Sequence, residues 1–104
     1  AKKIEKTETR INWNDDADKV IAKINAFCPS PGCWFELNRV RIKIIKAKRV
    51  INQGMPGTVL DDKLTIACSK NAIQVIELQK EGKQKITADE FLRGNTIKTG
   101  QRLN

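Results

Sequence analysis

One stretch of the chain, Arg39 to Val50, carries the strongest constraint on the fold. No acidic residue interrupts it, and apolar Val40, Ile42 and Ile44 alternate with cations before the alternation slips at Ile44-Ile45. A β-bulge at that point would return Lys46 and Lys48 to the face of the earlier cations, since successive strand residues point to opposite sides. The pattern predicts a long, bulged strand with a core on one side. Its other side would carry a row of cations, namely Arg39, Arg41, Lys43, Lys46 and Lys48.

The surrounding segments predict a small sheet closed by two helices. Apolar residues from Ala17 to Phe27 recur at helical spacing, with Asn14 as the expected N-cap, and Thr87 to Glu90 fits a capping box for a short final helix. Short alternating runs bounded by turn residues predict the other strands, at 34–37, 58–60, 63–68 and 72–79. The expected fold is therefore mainly β: a small OB-like antiparallel barrel with an N-terminal amphipathic helix and a short C-terminal helix. Polar residues 1–10 are expected to be an interdomain linker, and residues 11–104 the domain.

Charge narrows the class of partner. The 104 residues carry a formal net charge of +8, and the sequence pI is about 9.7. A positive field of this size attracts polyanions such as nucleic acid or an anionic membrane surface. No run approaches the ~20 apolar residues of a membrane span, so a soluble protein is expected. The alternative is that the cations only solvate the surface and protect sheet edges.

The residues suited to catalysis and metal binding are few. The chain has no histidine, which excludes Ser-His and Cys-His nucleophile pairs, and its three cysteines alone do not make a four-ligand zinc site. We therefore expect no catalytic residue and no metal in this chain. The cysteines are interpreted as small apolar residues of a reducing compartment, although Cys28 and Cys33 flank a short turn that a local disulfide could close.

The basic residues favour a nucleic-acid contact made through phosphates. A second basic group (Lys80, Lys83 and Lys85) is expected in the loop before the final helix, and Arg93 ends that helix. Base recognition usually needs exposed aromatic rings. The chain has no tyrosine, and Trp13 and Trp34 are interpreted as packing residues. The predicted nucleic-acid-binding residues are Arg41, Lys43, Lys46, Lys48, Lys83, Lys85 and Arg93.

Ordered motifs over nearly the whole chain resemble the C-terminal domain of the methionyl-tRNA formyltransferases. In chain order they are Lys3-Ile4, Arg10 to Trp13, Pro29 to Gly32, Val40 to Ala47, Pro56 to Thr58, Leu78-Gln79 with Gly82-Lys83, Thr87 to Gly94, and Gly100 to Leu103. By motif position Lys43, Lys46 and Lys83 match basic positions of the family, and Arg93 lies near a basic segment that precedes the family's tail. The roles of Arg41, Lys48 and Lys85 come from the charge row and the loop alone.

The resemblance implies a division of labour. An N-terminal catalytic domain outside this chain would bind 10-formyltetrahydrofolate and formylate the methionine of initiator methionyl-tRNA. This chain would bind no cofactor and would hold the tRNA, in a cytoplasmic and monomeric protein. Asn25, Ser30 and Gln84 depart from residues common in the family, so some tRNA contacts of relatives are expected to be missing or replaced by Lys85.

Two other functions remain open at this level. The first is a structural C-terminal barrel of a sugar-nucleotide formyltransferase, because those enzymes carry a related barrel and fold alone does not assign substrate. The second is an independent OB-type single-strand binder, which the shortage of exposed aromatic residues disfavours.

Overall fold

The structure is a computed structural model that describes residues 10–27, 32–37, 39–94 and 97–103. Helix α1 spans Ala17–Phe27 and helix α2 spans Ala88–Gly94. The strands are β1 (Cys33–Leu37), β2 (Val40–Val50), β3 (Thr65–Ala67), β4 (Ala72–Lys80) and β5 (Lys85–Thr87). The expected fold class is confirmed: the protein is mainly β, with one helix near each end. Cys28, and with it any Cys28–Cys33 disulfide, lies outside the described residues.

The strands form one antiparallel, curled sheet. Its order is β1-β2-β4-β3, and β5 pairs with the C-terminal half of β4 beyond the short β3. Isolated bridges extend the sheet at its margins: Arg10 pairs with Trp34, Val59 with Ile66, and Thr58 with Arg102. The strand expected at 58–60 is thus reduced to two bridge residues, because Thr58 and Val59 pair with different segments.

The concave side of the sheet holds the core. Phe35, Ile44 and Leu78 are fully buried there, and α1 covers them with Val20 and Ile24. At roughly 25 cal/mol per Å² of apolar surface, burial of such side chains stabilises the fold by about 1.5–3 kcal/mol each. The amphipathic pattern of α1 is therefore a packing pattern, as expected.

Both helices begin with side-chain caps. Asp16 caps α1, since its Oδ1 accepts a hydrogen bond from the Lys19 amide at 2.8 Å. The assignment of Asn14 was wrong, because a turn over Asn12 to Asp15 separates Asn14 from the first helical turn. Thr87 caps α2 as expected: its Oγ1 accepts from the Glu90 amide at 3.2 Å and donates to Glu90 Oε1.

Asp61 organises the turn that leads into β3. Its carboxylate accepts hydrogen bonds from the Lys63 amide at 2.8 Å and from the hydroxyl of buried Thr65 at 2.8 Å. Burial raises the pKa of Asp61, but the hydrogen bonds from Thr65 and Lys63 and the positive charge of Lys63 outweigh it. The pKa is therefore lowered below 3.8.

Replacing Asp61 with alanine should lower the free energy of unfolding by about 1–3 kcal/mol, because the buried Thr65 hydroxyl loses its acceptor. Since the native pKa is depressed, the wild type should lose this contribution as the pH falls through 3.8 and below. Urea unfolding at pH 7 and pH 3 measures both effects. The exposed neighbour Asp62 is the control, and equal losses for Asp61→Ala and Asp62→Ala would contradict the assignment.

Candidate nucleic-acid interface

A bulge in β2 brings its cations to one side of the sheet. The β2–β4 register is regular up to Ile44 and again from Ala47, with irregularities on either side of Lys46. Ile44 is fully buried and Ala47 packs against the core. Between these two residues, the positions that face the core therefore change from even-numbered to odd-numbered residues. Lys46 and Lys48 are exposed on the outer side, as the sequence pattern predicted.

The start of β2 differs from the expectation. Arg39 precedes the strand, in a turn where its φ is 67°, and Val40 is 40% exposed instead of core-facing. Both differences arise at the end of the ladder, because the β1–β2 pairing ends at Leu37 and Val40. The row of cations on β2 therefore begins at Arg41.

Residues opposite one another on neighbouring antiparallel strands share a face of the sheet. Lys43 on β2 lies opposite Trp34 on β1 and Gln79 on β4, and Gln79 lies opposite Lys85 on β5. The cations of β2 thus continue across the sheet to β5. We call this outer surface the cationic face, and it consists of Arg41, Lys43, Lys46, Lys48 and Lys85.

Two carboxylates that are distant in sequence lie among these cations. Glu36 is opposite Arg41, and Glu77 is opposite Lys46 with its Oε2 3.8 Å from Lys85 Nζ. The acid-free stretch of β2 predicted an uninterrupted row, but strand pairing supplies acids from β1 and β4. The cations still outnumber the acids, so the face remains positive.

The second basic group is divided by the β4–β5 hairpin. Lys80 and Lys85 are strand residues and not loop residues, because β4 ends at Lys80 and β5 begins at Lys85. Lys80 lies opposite core-facing Ile42, and its Nζ is 5.5 Å from the Phe91 ring centroid, so it belongs to the inner side. Lys83 is exposed in the turn, where its carbonyl accepts from Gln79 Nε2 at 2.7 Å. The backbone of Lys83 therefore adjoins the cationic face.

Two further arginines are not members of the cationic face. Arg93 is exposed in the last turn of α2, and no hydrogen bond or ion pair in the described part of the chain joins it to the cationic face. Arg49 follows the row in sequence, but its guanidinium pairs with Asp18 of α1 at 3.2 Å. Arg49 therefore joins the helix to β2.

Lys43 is the most constrained cation of the row. It is half-buried, and its methylenes lie so close to Gly32 that a Cβ there would be 2.6 Å from Lys43 Cδ. Packing of the stem lets a lysine present its charge with less freedom to lose on binding. Gly32, at φ +79°, is the residue that leaves room for this stem.

Sequence reasoning missed Arg10 and Trp34 at this surface. Trp34 is partly exposed on the outer side of β1, with the Arg41 guanidinium 4.5 Å and the Arg10 guanidinium 5.2 Å from its ring centroid. Strand parity was the available signal, because buried Phe35 requires its neighbour Trp34 to point outward. Trp13 is buried and contacts the Phe35 ring edge-on at 6.1 Å between centroids, so it is a packing residue as expected.

Two further features of the described residues are a cleft and a buried thiol. A cleft of about 390 Å³ beside Trp13 contains Arg10 and Arg102. Burial, with Asp16 and Asp15 nearby, raises the pKa of the Cys68 thiol to about 11, which keeps it protonated near neutral pH. Among the described residues, no group of three potential metal ligands is present, and no helix is long and apolar enough to cross a membrane.

The fold is thus a curled antiparallel sheet with a cationic outer face and a helix-covered core. Residues 3–96 match the family described as the C-terminal domain of formyl transferases. This chain belongs to that family.

Curated relatives give the same classification. The chain is 46% identical to a methionyl-tRNA formyltransferase of Bradyrhizobium diazoefficiens, in an alignment covering 99% of this chain and 34% of that protein. It is also 46% identical to one of Rhodopseudomonas palustris, over 96% of this chain and 34% of that protein. The chain therefore spans about a third of the length of the relatives it matches.

Solved structures support the fold. HypX from Aquifex aeolicus, in a complex with tetrahydrofolic acid, superimposes with a TM-score of 0.72 at 21% sequence identity. The match covers 95% of this chain and 21% of that protein. At this identity the likeness concerns the fold alone.

Proposed function

We propose that this chain is the tRNA-docking domain of a methionyl-tRNA formyltransferase, which formylates the methionine of initiator methionyl-tRNA. The cationic face is the observation that carries the proposal, because the register of the sheet brings the cations of β2 and β5 to one surface. Family membership and the names of the relatives supply the substrate class.

The cationic face suits a phosphate backbone. Phosphates along a nucleic-acid strand are spaced regularly, and a row of lysines and arginines can neutralise several of them. Arg41, Lys43, Lys46 and Lys48 follow β2 as such a row, while Lys83 and Lys85 extend it over the β4–β5 hairpin. Arg93 would serve a separate contact, since it lies on α2 and not on the strands of the row.

The formyl-transfer chemistry is assigned to the remaining two-thirds of the relatives' length. A catalytic domain there would bind 10-formyltetrahydrofolate, and no cofactor would bind within this chain. The tetrahydrofolic acid bound to HypX agrees with a folate donor for the wider group of proteins. The whole protein would act as a cytoplasmic monomer on charged initiator tRNA.

A salt titration tests the proposal. Labelled initiator tRNA should bind the chain at low salt, and log affinity should fall linearly with log salt, by about 0.7–0.9 per phosphate contact. Lys46→Gln should weaken binding several-fold and reduce the slope by about one contact. Lys70→Gln is the matched control. Lys70 is exposed in the turn between β3 and β4, and its backbone carbonyl accepts a hydrogen bond from the amide of Ala17, the first residue of α1.

Three results would contradict the proposal. The first is the absence of tRNA binding at low salt. The second is equal weakening by Lys46→Gln and Lys70→Gln, which would show that overall charge attracts the RNA and that the cationic face has no special part. Binding that does not change with salt would also reject a contact made through phosphates.

A further inference from the structure

We propose that Trp34 and the guanidinium of Arg41 form a stacking platform for one unpaired nucleobase of the bound RNA. The base would lie on the outer plane of the Arg41 guanidinium, which itself lies on the Trp34 ring. This inference rests on the RNA binding proposed above. It adds recognition of single-stranded RNA to a contact that would otherwise read only phosphates.

The platform is built by three neighbouring segments of the sheet. Arg10 bridges to Trp34 at the edge of β1, where the Ile11 amide donates to the Trp34 carbonyl at 2.9 Å. Arg41 belongs to β2, and its carbonyl accepts from the Glu81 amide at 3.1 Å. The backbone bonds hold the two strands, and the Arg41 guanidinium lies 4.5 Å from the Trp34 ring centroid, so the two groups are already together before any ligand arrives. Such preorganisation reduces the entropy lost on binding.

The position of Trp34 suggests a role beyond packing. The core already contains a tryptophan, since Trp13 is 6% exposed against Phe35, whereas Trp34 lies among cations on the outer side. Two guanidinium groups lie within 5.2 Å of its ring centroid. Aromatic rings and guanidinium planes are the groups on which proteins stack unpaired bases.

A lysine beside the platform completes a site of nucleotide size. Lys43 lies directly opposite Trp34 on the neighbouring strand, and opposite residues of an antiparallel pair have Cβ atoms about 4.5–5.5 Å apart. A base on Arg41 would therefore leave its phosphate within reach of Lys43. Glu36, opposite Arg41, is the acid that competes with the ligand for this guanidinium.

The competing explanation is that the arginines only shield Trp34 and stabilise the edge of β1. Cation–π contacts of this kind stabilise a fold even without any ligand. The two explanations differ in how RNA binding responds to a change that keeps the charge. A lysine at position 41 keeps the positive charge but has no plane on which a base can stack.

The test compares a single-stranded RNA oligonucleotide with an RNA duplex of the same length. Arg41→Lys and Trp34→Leu should each weaken binding of the single strand about tenfold, and leave the duplex within about twofold, because paired bases cannot reach the platform. The salt slope should not change, since neither substitution alters the number of charges. Trp34→Phe keeps a ring under Arg41 and should restore most of the single-strand affinity.

Each outcome decides the question. Suppose that the wild type binds both RNAs and that Arg41→Lys binds the single strand as tightly as the wild type does. This result would overturn the platform and leave the proposed function intact. A loss on the single strand and the duplex alike would also overturn it, because it would indicate lost charge contacts or damage to the fold. Failure of the wild type to bind any RNA would reject both proposals. If Trp34→Leu unfolds in urea far earlier than wild type, Arg41→Lys alone gives the decision.

Discussion

Replacing Lys43, Lys46 and Lys48 together with glutamine should lower the affinity for tRNA by about 100-fold at 0.1 M salt. Each phosphate contact contributes about 0.7–0.9 to the slope of log affinity against log salt. The contribution of these contacts vanishes near 1 M salt and grows with each tenfold dilution of the salt. At 0.1 M, one tenfold step below that limit, losing three contacts therefore lowers log affinity by about two. All three residues lie on β2, and Lys46 and Lys48 are exposed on the outer side.

The matched control replaces the same three lysines with arginine. It keeps the charges, so affinity and salt slope should stay close to those of the wild type. Fluorescence anisotropy of labelled tRNA at several salt concentrations measures both quantities. A triple glutamine variant whose salt slope equals that of the wild type would show that the RNA binds elsewhere on the protein.

Replacing Gly57 with alanine should lower the free energy of unfolding by about 2–4 kcal/mol, from backbone strain and a steric clash together. Gly57 has a φ of +86°, where a non-glycine residue costs about 1–2 kcal/mol. An added Cβ would also lie 2.9 Å from the Leu103 carbonyl oxygen. The carbonyl of Gly57 accepts a hydrogen bond from the Leu103 amide at 2.7 Å, and the amide of Gly57 donates one to the Ala67 carbonyl at 2.8 Å. Relief of the clash would therefore disturb the contact between the C-terminal tail and the sheet.

Gly82 separates the two causes. Its φ is +79°, but an added Cβ would meet nothing within 4 Å, so Gly82→Ala should cost only the conformational part. Urea unfolding of both variants isolates the cost of the close approach as their difference. Equal destabilisation by the two substitutions would show that the C-terminal tail moves away from the added Cβ at no cost in the free energy of unfolding.

Much of the fold could be predicted because its signals are local. The helical spacing from Ala17 to Phe27 and the alternation of β2 depend only on near neighbours, and both appear where expected. The capping box at Thr87 is local as well. The strand expected at 58–60 and the missed β5 show the limit, since pairing with distant segments decides whether a short run becomes a strand.

The same distinction between local signals and contacts with distant segments applies to the candidate site. The parity slip at Ile44-Ile45 predicted the bulge, so Lys46 and Lys48 could be assigned to the outer side from β2 alone. Whether these residues bind RNA stays a prediction. The approach of Glu77 to Lys85 and of Arg10 to Trp34 could not be foreseen, because both contacts join segments that are separate in the chain.

The amino-acid order alone therefore decided the charge, the lack of histidine chemistry and the bulged row of cations on β2. Those properties follow from residue identity and from the two-residue period of a strand, which need no partner. The tertiary structure decided which acids interrupt the row, which cations turn inward, and that Trp34 lies beneath Arg41. These depend on strand register, and register is set by the burial of Phe35, Ile44 and Leu78 against one another across the sheet.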